Sequence, residues 1–166
     1  MKSSFFLSIL TGLTSAATVE PINSILNSLT TVPTGVLQLG SDGVIRSYGP
    51  DLKTVLDFAP LDPAQISELV TMARSNSIIA DRIPDFKGVN GHDVPIKELA
   101  EPPAAITDAL VAAANLDYPL DSTPVVNPLV EKRNDCGNVL CKNISVCKNS
   151  GCVFCFFFVP GIGACV

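Results

Sequence analysis

Cysteine is the residue in this chain with the most chemistry to offer. Cys136, Cys141, Cys147, Cys152, Cys155 and Cys165 lie close together near the C-terminus, and no cysteine precedes them. Their spacing is C-x4-C-x5-C-x4-C-x2-C-x9-C. Such a cluster can ligate a metal or form disulfides. Cys152-x2-Cys155 has the spacing of half a zinc site, but Cys136-x4-Cys141 is looser and the block holds no histidine. The choice therefore turns on redox compartment.

The N-terminus speaks to that compartment. Lys2 precedes the apolar run Phe5–Leu13, and Thr14-Ser15-Ala16-Ala17 offers small residues for signal peptidase. The run is well short of the roughly 20 residues that span a bilayer. Residues 1–17 read as a secretory signal peptide, and the product as secreted and extracellular. An oxidising route makes disulfides the expected state of all six cysteines, with no metal and no cofactor. Six cysteines allow fifteen pairings, and spacing alone does not choose among them.

Little else in the chain suggests catalysis. His92, the single histidine, sits in Asn90-Gly91-His92-Asp93, which reads as a surface turn. Glu98 and Glu101 stand beside Pro102 and read as solvated charges. There is no Gly-rich phosphate loop and no nucleophile elbow, so no enzyme is expected. The formal net charge of −5 argues against nucleic acid, which requires clustered Lys and Arg.

Charge is also unevenly spread. Fifteen of the sixteen acidic residues precede Asn134. Such an abrupt change suggests two objects joined together. Residues 117–130, with Pro119, Pro124 and Pro128, read as an extended, protease-accessible tether. It ends at Lys132-Arg133, directly before the cysteines. A dibasic pair in that place resembles the cleavage site of kexin/furin-type processing proteases. The expected division is a signal over 1–17, an acidic propeptide over 18–133 and a mature six-cysteine peptide over 134–166.

The elements that would position these groups can be sketched. Val36–Leu39 and Val44–Ser47 read as strands around the turn Gly40-Ser41-Asp42-Gly43. Leu52–Phe58 reads as a third strand. Residues 18–35 read as a linker or a weak helix around Ile22–Leu29. Asp62-Pro63 opens a helix over 63–75 with Ile66, Leu69, Val70 and Ala73 on its apolar face. Another helix follows Pro102-Pro103, with Ile106, Ala109, Leu110, Ala113 and Ala114 as its stripe. Residues 81–101 read as loop. The fold class is a small disulfide-rich C-terminal peptide after a small α+β or partly disordered propeptide.

A 33-residue peptide cannot bury enough apolar surface to offset its conformational entropy, so staples are a physical necessity. Each disulfide contributes about 2–4 kcal/mol. Val153–Val159 is β-prone, Pro160-Gly161 is a turn dipeptide, and Ile162–Val166 would be the return strand. Period-2 alternation puts Cys155, Phe157 and Val159 on one face and Phe154, Phe156 and Phe158 on the other. Cys155 and Cys165 then face the same way only if the hairpin loop is odd in length. Phe154, Phe156 and Phe158 would form an outward apolar binding patch, which the propeptide would cover before cleavage. Asn143-Ile144-Ser145 is an N-glycosylation sequon at Asn143.

The cysteine spacing resembles the inhibitor cystine-knot, or knottin, class. It is similar to small cysteine-rich effectors secreted by fungi and to plant metallocarboxypeptidase inhibitors of the same knot type. The resemblance covers residues 136–165. It implies pairing of first with fourth, second with fifth and third with sixth: Cys136–Cys152, Cys141–Cys155 and Cys147–Cys165. It also implies a β-hairpin peptide acting as a toxin-like or effector-like ligand of a protein or membrane-receptor target. The alternative is a knottin-type protease inhibitor. Only Val166 follows Cys165, too short a tail to enter a recessed carboxypeptidase site, so such an inhibitor would use a loop bearing Lys142 or Lys148.

Overall fold

The computed structural model describes residues 20–74, 80–114, 136, 140–149, 151–158 and 163–165. The proposed signal, the tether, Lys132-Arg133, Val159, Pro160-Gly161, Ile162 and Val166 lie outside the described residues.

Local sequence makes the first elements. Helix α1 (Ile22–Ser28) buries Ile22, Ile25 and Leu26, one stripe at helical spacing. Strands β1 (Val36–Leu39) and β2 (Val44–Tyr48) form the expected hairpin. Its turn needs glycine, because Gly43 has φ +79° and an added Cβ would meet Val89 and Gly91 at 2.8–2.9 Å. Strand β3 (Val55–Pro60) starts later than the apolar run from Leu52 suggests. Leu52 instead occupies a left-handed turn conformation, φ 56°. Asp51 supports that turn by accepting bonds from the Lys53 and Thr54 amides and the Thr54 hydroxyl. β3 lies at the sheet edge, where Pro60 is tolerated.

Helix α2 (Pro63–Arg74) begins with a reciprocal cap. Asp62 Oδ1 accepts from the Ala64 and Gln65 amides, both at 2.8 Å, while Gln65 Oε1 accepts from the Asp62 amide at 3.0 Å. Residues 81–101, expected as loop, hold helix α3 (Ile96–Ala100) and 3-10 turns at Ala80–Arg82 and Gly91–Asp93. Five residues burying only Leu99 are too few to show a helical period. Helix α4 (Ala104–Ala114) follows the proline pair as expected.

The cysteine region adds β4 (Leu140–Cys141), helix α5 (Ile144–Asn149), β5 (Cys155–Phe158) and β6 (Gly163–Cys165). These strands do not stand apart. The sheet runs β3-β2-β1-β5-β6-β4. The antiparallel meander β3-β2-β1 and the antiparallel group β5-β6-β4, with β6 in its middle, meet at one parallel pair, β1 with β5. The change in composition at residue 134 therefore does not coincide with a break in the sheet. Over residues 20–114 the α+β alternative is the one seen.

Both faces of the sheet are covered. One face carries Leu37, Leu39, Ile45, Phe156, Phe158 and Ala164 beneath α1 and α2. The other carries Val36, Tyr48, Phe157 and the cysteines, together with Leu110 of α4 and Ile144 of α5. Among the described residues no helix is long and apolar enough to cross a membrane.

Among the described residues, one charge is fully buried in this frame. Arg46 on β2 is fully buried. Its Nη1 and Nη2 donate to Asp42 at 3.1 and 2.7 Å. Its Nε and Nη2 donate to the Leu99 and Glu98 carbonyls, both at 2.9 Å. The guanidinium thus ties the hairpin turn to α3. Removing one partner of a buried pair is costly, whereas replacing the pair by apolar groups is often neutral. Asp42→Ala should therefore lower stability by about 2–3 kcal/mol, discounted from the ~3–5 kcal/mol of a fully buried pair because Asp42 keeps some exposure. Adding Arg46→Met should restore part of the loss. Urea midpoints decide the point: equal midpoints for the single and double variants would show that the buried charge costs nothing.

Two carboxylates set an acid limit. Hydrogen bonds to Thr54 lower the Asp51 pKa to about 2, despite its full exposure. The Thr30 amide bond holds Asp57 below the ordinary carboxylate value. Both groups favour the folded state when ionised, so their contribution is complete above the unfolded pKa of about 3.9 and is lost as pH falls toward 2. Thermal melts should show no loss from these groups between pH 7 and 5 and a falling midpoint below pH 4. Asp51→Asn should flatten that acid limb.

Candidate functional site: the Phe-rich strand and its disulfide cluster

Three disulfides hold the C-terminal region. They join Cys136 to Cys152, Cys141 to Cys155 and Cys147 to Cys165, with Cα–Cα distances of 5.7, 5.8 and 5.3 Å. This is the pairing that the knottin resemblance implies. Two of the bonds join different elements. Cys141 on β4 reaches Cys155 on β5, and Cys147 on α5 reaches Cys165 on β6. The sulfurs of Cys141, Cys147 and Cys165 lie within 4.8 Å of one another. That proximity invites a metal reading, but each sulfur is already spent in a disulfide and no cysteine is free.

Strand register sets the site geometry. Cys155 lies opposite Cys165, Phe156 opposite Ala164 and Phe157 opposite Gly163. An odd number of residues separates each facing pair, as the same-face requirement for the two cysteines demands. Gly163 is needed there. An added Cβ would meet the Cys141 carbonyl oxygen at 2.5 Å and the Phe157 ring at 2.6 Å.

The expected alternation along β5 holds. Phe157 lies with Cys155 on the disulfide face, while Phe156 and Phe158 share the opposite face with their ring centroids 5.0 Å apart. In the intact chain that opposite face is covered. Phe156 and Phe158 are 0 % and 2 % exposed, packed with Leu37, Leu39 and Ile45 under α1 and α2. Phe154 is half-buried at the edge of the same cluster. The unbroken Phe156-Phe157-Phe158 run is the sequence signal for this, because a strand buried on both faces does not alternate apolar with polar.

The seam with the N-terminal region has backbone bonds at both ends. Leu37, Gln38 and Leu39 pair in parallel register with Phe156, Phe157 and Phe158. Farther along, the Ile144 amide donates to the Gly35 carbonyl at 3.0 Å. The Ser145 amide and hydroxyl both donate to the Pro33 carbonyl, at 2.8 and 2.9 Å. Two of the three sequon residues are thus engaged with the N-terminal region. Asn143 itself caps α5, its Oδ1 accepting from the Val146 amide at 3.2 Å. Lys142 and Lys148 are exposed.

Sequence reasoning missed the residues that receive β5. Val36, Gln38 and Tyr48 line the seam on the disulfide face and are fully buried. Gln38 Nε2 reaches the Ile106 carbonyl at 3.4 Å, but Gln38 Oε1 and the Tyr48 hydroxyl have no partner among the described residues. Burial pushes the Tyr48 pKa up to about 12, against the opposing charge of Arg46. His92 is exposed, as expected, with its amide bonded to Asn90 Oδ1.

Phe156→Ala removes a large, fully buried ring and should destabilise the intact chain by about 3–5 kcal/mol. Phe154→Ala should cost much less, because that ring is already half-exposed. Denaturant midpoints of the two variants check the ordering, and a reversed order would contradict this placement of the strand.

Comparison with protein-family models, with characterised proteins and with solved structures returns no match.

Proposed function

We propose that the chain is a secreted precursor. Cleavage after Arg133 generates peptide 134–166, a knottin-type ligand that acts in a toxin-like or effector-like way on a protein or membrane-embedded receptor of a host or competitor. The observation that carries this reading is the state of β5. Among the described residues, one of its edges is paired by β1, and its Phe156/Phe158 face is covered by residues of the N-terminal region. Loss of that region would bare an unpaired strand edge beside Phe156 and Phe158. An extended edge for main-chain pairing, flanked by large apolar side chains, is how many peptide ligands engage proteins. In the precursor the same region shields the strand from aggregation, the usual hazard of an open apolar edge.

The first–fourth, second–fifth, third–sixth pairing and the close approach of the Cys141, Cys147 and Cys165 sulfurs support the knottin assignment. The inhibitor reading is weaker. Lys148 lies on α5 and Lys142 in the short bend before it, neither presented on an extended loop that a protease could hold as substrate.

Intact mass of the secreted product tests the maturation step. The expected species is 134–166, lighter than its reduced form by two hydrogens for each of three disulfides. Secretion solely at pro-form length would refute it. The ligand role is tested with the refolded peptide: labelled 134–166 should bind target membranes saturably and be displaced by unlabelled peptide. Phe156→Ser/Phe158→Ser, with all three disulfides formed, should lose that binding.

A further inference from the structure

Among the described residues, extensive contacts hold the six-cysteine region to residues 20–114. On one face, Phe156 and Phe158 are buried by Leu37, Leu39, Ile45 and the two helices above them. On the other face, Phe157 and Ile144 pack with Val36, Tyr48 and Leu110. Between the faces run the β1–β5 ladder and the bonds from Ile144 and Ser145 to Gly35 and Pro33. On the N-terminal side these partners lie between Ile22 and Leu110. An interface of this kind resembles a domain core divided in two, the character of obligate rather than transient contacts. A covalent link between two such units converts their association into an intramolecular one with an effective concentration.

We propose that processing at Lys132-Arg133 does not by itself free the peptide. The cut product is a latent two-chain complex in which the N-terminal unit stays on β5 as a bound inhibitor. This rests on the maturation reading above. β5 has two edges, and β6, tied through Cys147–Cys165, holds one of them permanently. The other accepts a single extended strand. Val36-Leu37-Gln38-Leu39 takes it in parallel register. A target that reads the same edge must therefore displace β1, so activation is an exchange of one apolar strand for another. Cleavage makes that exchange possible by lowering the local concentration of β1; it does not carry it out.

The test uses the full secreted chain with its disulfides intact, cut in vitro by a kexin-type protease. Native mass spectrometry and size exclusion at micromolar concentration should show both fragments together in one-to-one ratio. Amide exchange should remain slow at Phe156–Phe158 in the cut product. Leu37→Ala should raise the dissociation constant of the two fragments at least about tenfold, while the uncut variant keeps its native circular dichroism. Fragments that elute apart, or that co-elute with freely exchanging Phe156–Phe158 amides, overturn the latent complex and leave the maturation step standing. Failure of the protease to cut at Arg133 counts instead against the maturation reading. In that case a variant with a sequence-specific protease site replacing Lys132-Arg133 gives the same elution and exchange readouts, and they decide the complex alone.

Discussion

The parallel pairing of β1 with β5 holds this molecule together. On each side of it lies an antiparallel group of three strands: the meander β1-β2-β3, joined by short turns, and β5-β6-β4, held by disulfides. The seam strands β1 and β5 are each buried in clusters that draw residues from both groups. Joining them gives a six-stranded sheet with α1 and α2 on one face and α4, α5 and the disulfides on the other. The core residues of each half are completed by the other half. Phe156 needs Leu37 and Leu39, and Val36 and Tyr48 need Phe157 and the cysteines.

This arrangement gives the disulfides and the hydrophobic core different work. The bonds constrain the cysteine region internally and make no covalent link to residues 20–114. The core joins that constrained unit to the rest of the chain without a covalent tie. A strand presented in this way is held in extended form by Cys155 and β6, so little chain entropy remains to be lost when β1 pairs with it. The N-terminal unit is stiffened separately, by the Asp62–Gln65 cap, by the glycine turn at Gly43 and by Arg46 bridging Asp42 to the Leu99 and Glu98 carbonyls. These features lie away from β5 and keep β1 in place to receive it.

Much of the local structure was legible. The turn residues around Asp42 marked the first hairpin, Asp62-Pro63 marked the start of α2, and the proline pair at 102–103 marked α4. Helix α3 and the 3-10 turns were not legible, because elements of three to five residues are too short to show a period. The odd register between Cys155 and Cys165 was legible as a condition: a shift of one residue would send one cysteine to the opposite face. Arg46 gave no signal, since one arginine among alternating strand residues reads as solvated. Its burial depends on α3 closing over it.

The sequence by itself determined the chemistry of the cysteine region, because thiol count, short length and a strong β-former run leave a small stapled hairpin as the stable solution. It also determined which side of β5 each phenylalanine takes, because the pleat alternates strictly. Whether that side met solvent or protein was decided only by tertiary structure. The parallel partner, β1, lies more than a hundred residues earlier in the chain, across an abrupt change in charge and cysteine content. No local propensity reports a contact at that separation; it is chosen by which apolar faces remain uncovered once each three-stranded group has formed.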